Sequence, residues 1–128
     1  MISVERLREL AQEASSPRPG PTGVAAADVV PHLDSDDRNI RVAALRVLAW
    51  SDGTDDAVRG LLKALDDPKR RVRNVAAKSC VRFLDDPRIV ARLVRAIEED
   101  DRAAAQPALE VLAGAGAHTV GLEGSGPV

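Results

Sequence analysis

Apolar residues recur along the chain at i, i+3, i+4 and i+7, the spacing that gathers them on one face of an α-helix. In 54–65 Val58, Leu61, Leu62 and Leu65 form such a stripe, and in 2–14 Val4, Leu7, Leu10, Ala11 and Ala14 form another. The pattern itself repeats. Residues 29–48, 61–80 and 93–112 can be written one above another without a gap, at a period of 32. Their apolar columns then coincide: Val29, Leu61, Leu93; Leu33, Leu65, Ile97; Ile40, Val72, Ala104; Ala44, Ala76, Ala108; Leu48, Cys80, Leu112. A fixed period of this length is the signature of stacked units that bury a continuous core only against one another. Three units are predicted, 22–53, 54–85 and 86–117, each a helical hairpin of a short first helix, an acidic turn and a second helix.

Residues that start and stop helices support this division. Thr54 is placed to cap the first helix of the second unit, and Ser35 and Asp67 to cap second helices, with Pro68 at a first helical position. Asp86 and Pro87 repeat the device at the start of the third unit. Gly53 and Gly114 stand where second helices are expected to stop, and Pro107 predicts a shortened or kinked helix in the third unit. The helix at 2–14 is expected to cap the N-terminal end of the stack, joined to it by the linker SSPRPGPTG. The Gly-rich tail 118–128 is expected to be flexible, leaving one solenoid domain over 1–117.

Around the second helix of the middle unit, Val72, Val75, Ala76, Ser79, Cys80 and Phe83 fall on one arc, which must face inward. Arg70, Arg71, Asn74, Ala77, Lys78 and Val81 fall on the other. Equivalent positions in successive units make rows: Arg38, Arg70, Arg102; Arg46, Lys78, Glu110; Val42, Asn74, Gln106; Leu45, Ala77, Leu109.

These columns resemble the HEAT-like repeats, close to the short type found in bilin lyases. The resemblance rests on the acidic position before the second helix (Ser35, Asp67, Glu99), the apolar-Arg pair at its start (Ile40-Arg41, Val72-Arg73) and the Ala-rich packing face. The third unit departs from it, with Ala104-Ala105 in place of that pair. The resemblance implies an all-α, right-handed α-solenoid whose second helices line the concave surface. It also implies that Arg41 and Arg73 bond acidic residues of the turns, Asp67 or Ser35, in a ladder that fixes the stacking.

Charge narrows the functional reading. The chain carries a formal net charge of −2, so no global basic field draws it to nucleic acid or to a membrane surface. By unit the charge runs −2, +3, −2, and the basic excess is confined to the middle. The partner-binding residues expected on the second-helix face are Arg38, Val42, Leu45, Arg46, Arg70, Arg71, Asn74, Lys78 and Arg102, with Leu109 and Val81 as further apolar contacts. The function expected is a non-catalytic scaffold that docks an acidic or amphipathic segment of another protein. Nucleic-acid binding through the middle repeat is the alternative, weakened by the flanking acids and by an aromatic content of only Trp50 and Phe83. An accessory role in a bilin-lyase-like enzyme is the other, and it would need an accessible thiol, whereas Cys80 occupies a core column. Trp50 is either an exposed anchor or packed against the neighbouring unit. His32 and His118 are isolated, and neither metal-ligand spacing nor a phosphate loop is present, so no cofactor or metal is expected. A lone cysteine and the absence of a signal-like apolar run point to the cytoplasm, and self-association through the repeat ends is open.

Overall fold

The computed structural model describes residues 2–14, 23–51 and 54–123, with the backbone alone for Thr54 and 115–123. The linker at 15–22, Gly53, the side chains of Thr54 and His118, and the end of the tail lie outside the described residues. The helices are α1 (Val4–Ala14), α2 (Ala26–Val29), α3 (Arg38–Leu48), α4 (Thr54–Ala64), α5 (Arg70–Ser79), α6 (Pro87–Glu98) and α7 (Ala105–Glu123). Two 3₁₀ segments continue α2 and α5, Val30–Asp34 and Cys80–Phe83. Pro31 lies in the first of them, where its missing N–H breaks the α-helical bonding.

The helices form two layers. In one, α1, α3, α5 and α7 contact each other in chain order; in the other, α2, α4 and α6 do. The fold is an all-α solenoid of three hairpins, and α1 extends the row of second helices by one. Two bonds tie the segment preceding α1 to the first unit: the Ile2 amide donates to Asp28 O at 3.3 Å, and His32 Nε2 donates to Ile2 O at 2.6 Å. His32 is thus a buried clasp for the N-terminal segment rather than an isolated side chain.

The expected inward arc is inward throughout: Val72, Val75, Ala76, Ser79, Cys80 and Phe83 are all buried. So are Ala44 and Ala108, the other members of the alanine column. Ala77 corrects the outer arc, being fully buried. The reason is that α5 is flanked by α3 on one side and α7 on the other, which leaves it only a narrow exposed stripe. In the other layer Gly60 marks a close approach, because a Cβ there would come within 2.9 Å of Leu33 and 3.2 Å of Leu48.

Helix ends depart from expectation in an orderly way. Ser35 and Asp67 are not helix caps; each accepts the backbone N–H two residues on, Asp37 N at 3.2 Å and Lys69 N at 2.8 Å. Both organise the turn before the helix, so Pro68 precedes α5 instead of opening it, and Asp37 caps α3. Asp86 does cap α6, accepting from the Arg88 amide at 2.9 Å with Pro87 as the first helical residue. The Arg88 side chain and amide hold its carboxyl below the usual carboxylate range. Pro107 does not shorten its helix, since α7 spans 19 residues, but the helix starts late: α7 begins at Ala105, whereas α3 and α5 begin at Arg38 and Arg70, the residues equivalent to Arg102. Gly114 does not stop α7, which runs on to Glu123.

Turns and helices of neighbouring units are joined by ion pairs that repeat with the fold. Arg41 donates to its own turn at Ser35 O (2.7 Å) and meets Asp67 of the next unit at 2.9 Å. Arg73 does the same with Asp67 O (2.8 Å) and Asp101 (3.2 Å). Each aspartate uses its other oxygen to accept an N–H of its own turn, Lys69 N or Ala103 N. The third rung is therefore Asp101, not the Glu99 that the column suggests; Glu99 pairs with Arg95 on the surface. That two-residue shift accompanies the late start of α7. A second set of rungs crosses the other layer, Lys63 to Asp34 and Arg92 to Asp66.

Ala76→Asp places a carboxylate at a fully buried position, and we expect it to lower the free energy of unfolding by about 3 kcal/mol or more. Lys78→Asp, on the exposed stripe, should change it by less than about 0.5 kcal/mol. Urea denaturation of the two variants checks the inward arc, and equal effects would contradict it.

Candidate partner-docking site

Apart from Arg6, paired with Glu9 within α1, and Arg8, Lys69 and Arg82, which meet no carboxylate, the cations of the described residues fall into two classes. Arg41, Arg73, Lys63, Arg92, Arg59, Arg88 and Arg95 all contact carboxylates. Among the described residues, Arg38, Arg46, Arg70, Arg71, Lys78 and Arg102 form no ion pair. These are the six basic residues expected from sequence to meet a partner, and all stand on α3, α5 or the turn before α7. The class boundary follows the fold: acids are concentrated in the turns and at first-helix ends, where capping and stacking use them.

The structure does not assemble the expected set as a single patch. Arg70, Arg71, Asn74, Arg102 and Ala103 line one open depression at the N-terminal end of α5. Asn74 is fixed there by donating its side-chain amide to Ala103 O at 3.0 Å, so it serves as floor as well as lining. Arg46 and Lys78 line a second depression together with Ala14, Trp50 and Val81. Arg38 is exposed but lines neither.

Val42 and Leu45 are corrections. Both are buried, Leu45 completely, because α3 is flanked by α1 on one side and α5 on the other, and they have no surface left for a partner. The apolar surface is instead Val81, 52% exposed, and Leu109, 47% exposed. Trp50 is half-buried just past the end of α3 and packs against the neighbouring unit. The Arg82 guanidinium of the next unit lies over its ring at 4.8 Å and donates to Ala49 O at 2.7 Å, while the same residue lines the second depression. The contribution of α1 to that depression, through Ala14, was not foreseen. Only the pairing of α1 with α3 reveals it, since no periodicity links the N-terminal helix to the repeats.

A family model for HEAT repeats matches residues 26–113. The chain belongs to the HEAT-repeat family. The match covers all three hairpins, and the paired turns and arginines described above are the physical content of that membership. No curated protein and no solved structure matches the chain.

Cys80 is buried, its thiol donates to Ala76 O at 3.2 Å, and burial pushes its pKa up to about 12. Among the described residues no group of three His, Cys, Asp or Glu is placed to hold a metal ion, and no helix is long and apolar enough to cross a membrane.

The thiol gives a direct check on this packing. At neutral pH Cys80 should react with an aromatic disulfide reagent at least about a hundredfold more slowly than in denaturant, since both thiolate fraction and access are reduced. Comparable rates in the two conditions would show that the column is open.

Proposed function

We propose that this HEAT-repeat chain is a non-catalytic interaction module whose second-helix face docks an acidic segment of another protein. One observation carries the reading: cations of the second-helix layer remain without acid partners while the arginines around them are bound into the stacking. Like charges held this close favour an anionic occupant over bare solvent. By analogy with HEAT repeats we take this face as the concave one, and a rigid face loses little ordering entropy when it binds.

Nucleic acid is the second reading and is less well supported. Useful backbone binding needs several phosphate contacts, and Glu110 of α7 occupies the position equivalent to Arg46 and Lys78. A lyase-like accessory role lacks support as well, because Cys80 offers no accessible thiol.

A fluorescent polyglutamate peptide and a duplex DNA of similar length, titrated at low and at physiological salt, separate the readings. We expect polyglutamate to bind at low salt and to lose affinity as salt rises. The triple change Arg70→Glu, Arg71→Glu, Arg102→Glu should abolish binding, whereas Arg59→Glu in the other layer should leave it unchanged. Tighter binding of the duplex than of polyglutamate would overturn the proposal.

A further inference from the structure

The two depressions lie along one line of one helix. Arg71, Asn74, Lys78 and Val81 succeed each other at spacings of three, four and three residues, a single stripe on the exposed side of α5 and its 3₁₀ continuation. The stripe leads from the Arg70, Arg71, Arg102 cradle to the cleft between Trp50 and Val81.

Their chemistry differs. The cradle presents three guanidinium groups without carboxylate partners among the described residues and an amide, and it is widely open. The cleft presents Val81, the most exposed large apolar side chain of the described core helices, beside the Trp50 ring, with Arg46 and Lys78 at its margin. An anion alone would leave Val81 and Trp50 unused, and an apolar side chain alone would leave the cradle unused. A phosphate backbone has no group for the cleft, and one approach to the Trp50 ring is taken by Arg82, which handicaps it as a platform for stacked bases.

From Arg71 to Val81 the helix advances by about 15 Å at 1.5 Å per residue, which an extended chain covers in about four to five residues. We infer that the occupant is an extended peptide segment that seats one aliphatic side chain between Trp50 and Val81 and, about four to five residues away, places carboxylates among Arg70, Arg71 and Arg102. This rests on the docking function proposed above and specifies its ligand: acidic and amphipathic at a set spacing, not merely acidic.

The test uses the full chain and two kinds of labelled probe. One carries a leucine separated by three glycines from a run of four glutamates, made in both chain orders. The other has serine in place of leucine. Anisotropy reports binding, and emission of Trp50, the sole tryptophan, reports occupancy of the cleft.

One order of the leucine probe should bind about tenfold or more tightly than the serine probe, as burial of a leucine side chain implies, and should shift Trp50 emission. Val81→Ser, verified as folded by circular dichroism, should remove the advantage of the leucine probe over the serine probe. Arg70→Glu with Arg71→Glu should remove binding of both. Equal affinities with unchanged Trp50 emission would overturn the two-part site while leaving acidic docking intact. If neither peptide binds, or a duplex DNA alone binds, the docking function falls with it.

Discussion

Stacking in this chain depends on an arginine shared between two turns. Arg41 and Arg73 each reach a carbonyl of their own turn and an aspartate of the next, and each aspartate in return organises the turn that carries it. The pair Arg41–Asp67 is largely buried, with side chains 12% and 11% exposed. At that depth an unpaired charge costs far more than a surface pair contributes, so the ladder acts chiefly by penalising any other register. The alanine column and the apolar stripes supply the burial energy, but they are forgiving of a slide by a helical turn; the ladder is not.

The same interaction divides the charges by function. Each arginine that joins a rung is neutralised in place, and the acids it needs are supplied by the turns. Cations on the exposed stripe of α5 and at the N-terminal end of the turn before α7 lie beyond the reach of those acids. The basic excess of the middle unit therefore survives folding as a surface property, although half of that unit's basic residues are absorbed by Asp55, Asp34, Asp101 and the Trp50–Ala49 corner.

Most of the fold was legible because a repeat states its contacts several times over. The column Ala44, Ala76, Ala108 identified the buried face from small size alone, and the inward arc of α5 followed from periodicity. What escaped were features that occur once. The helix α3 is packed between α1 and α5, yet nothing in the repeat pattern says where the non-repeated α1 will lie, and the buried Val42 and Leu45 were read as binding surface. The third rung moved from Glu99 to Asp101 because Pro107 delays α7, an effect of backbone chemistry that a gapless column cannot register. Ala77 was misplaced for a related reason: a helical wheel knows one partner face, whereas a central helix of a layer has two neighbours. At the site, the six basic residues were identified correctly as surface, but their division into two depressions depends on the packing of three helices at Trp50.

The central claim is that the arginines of α3, α5 and the turn before α7 are of two kinds, those that hold the stack and those left for a partner. Urea unfolding of single Arg→Gln variants measures it most directly. Arg41→Gln and Arg73→Gln should each lower the unfolding free energy by about 2 to 3 kcal/mol, while Arg70→Gln, Arg71→Gln and Arg102→Gln should each change it by less than about 0.5 kcal/mol. If the second group destabilises the chain as much as the first, those arginines belong to the fold and the account is wrong.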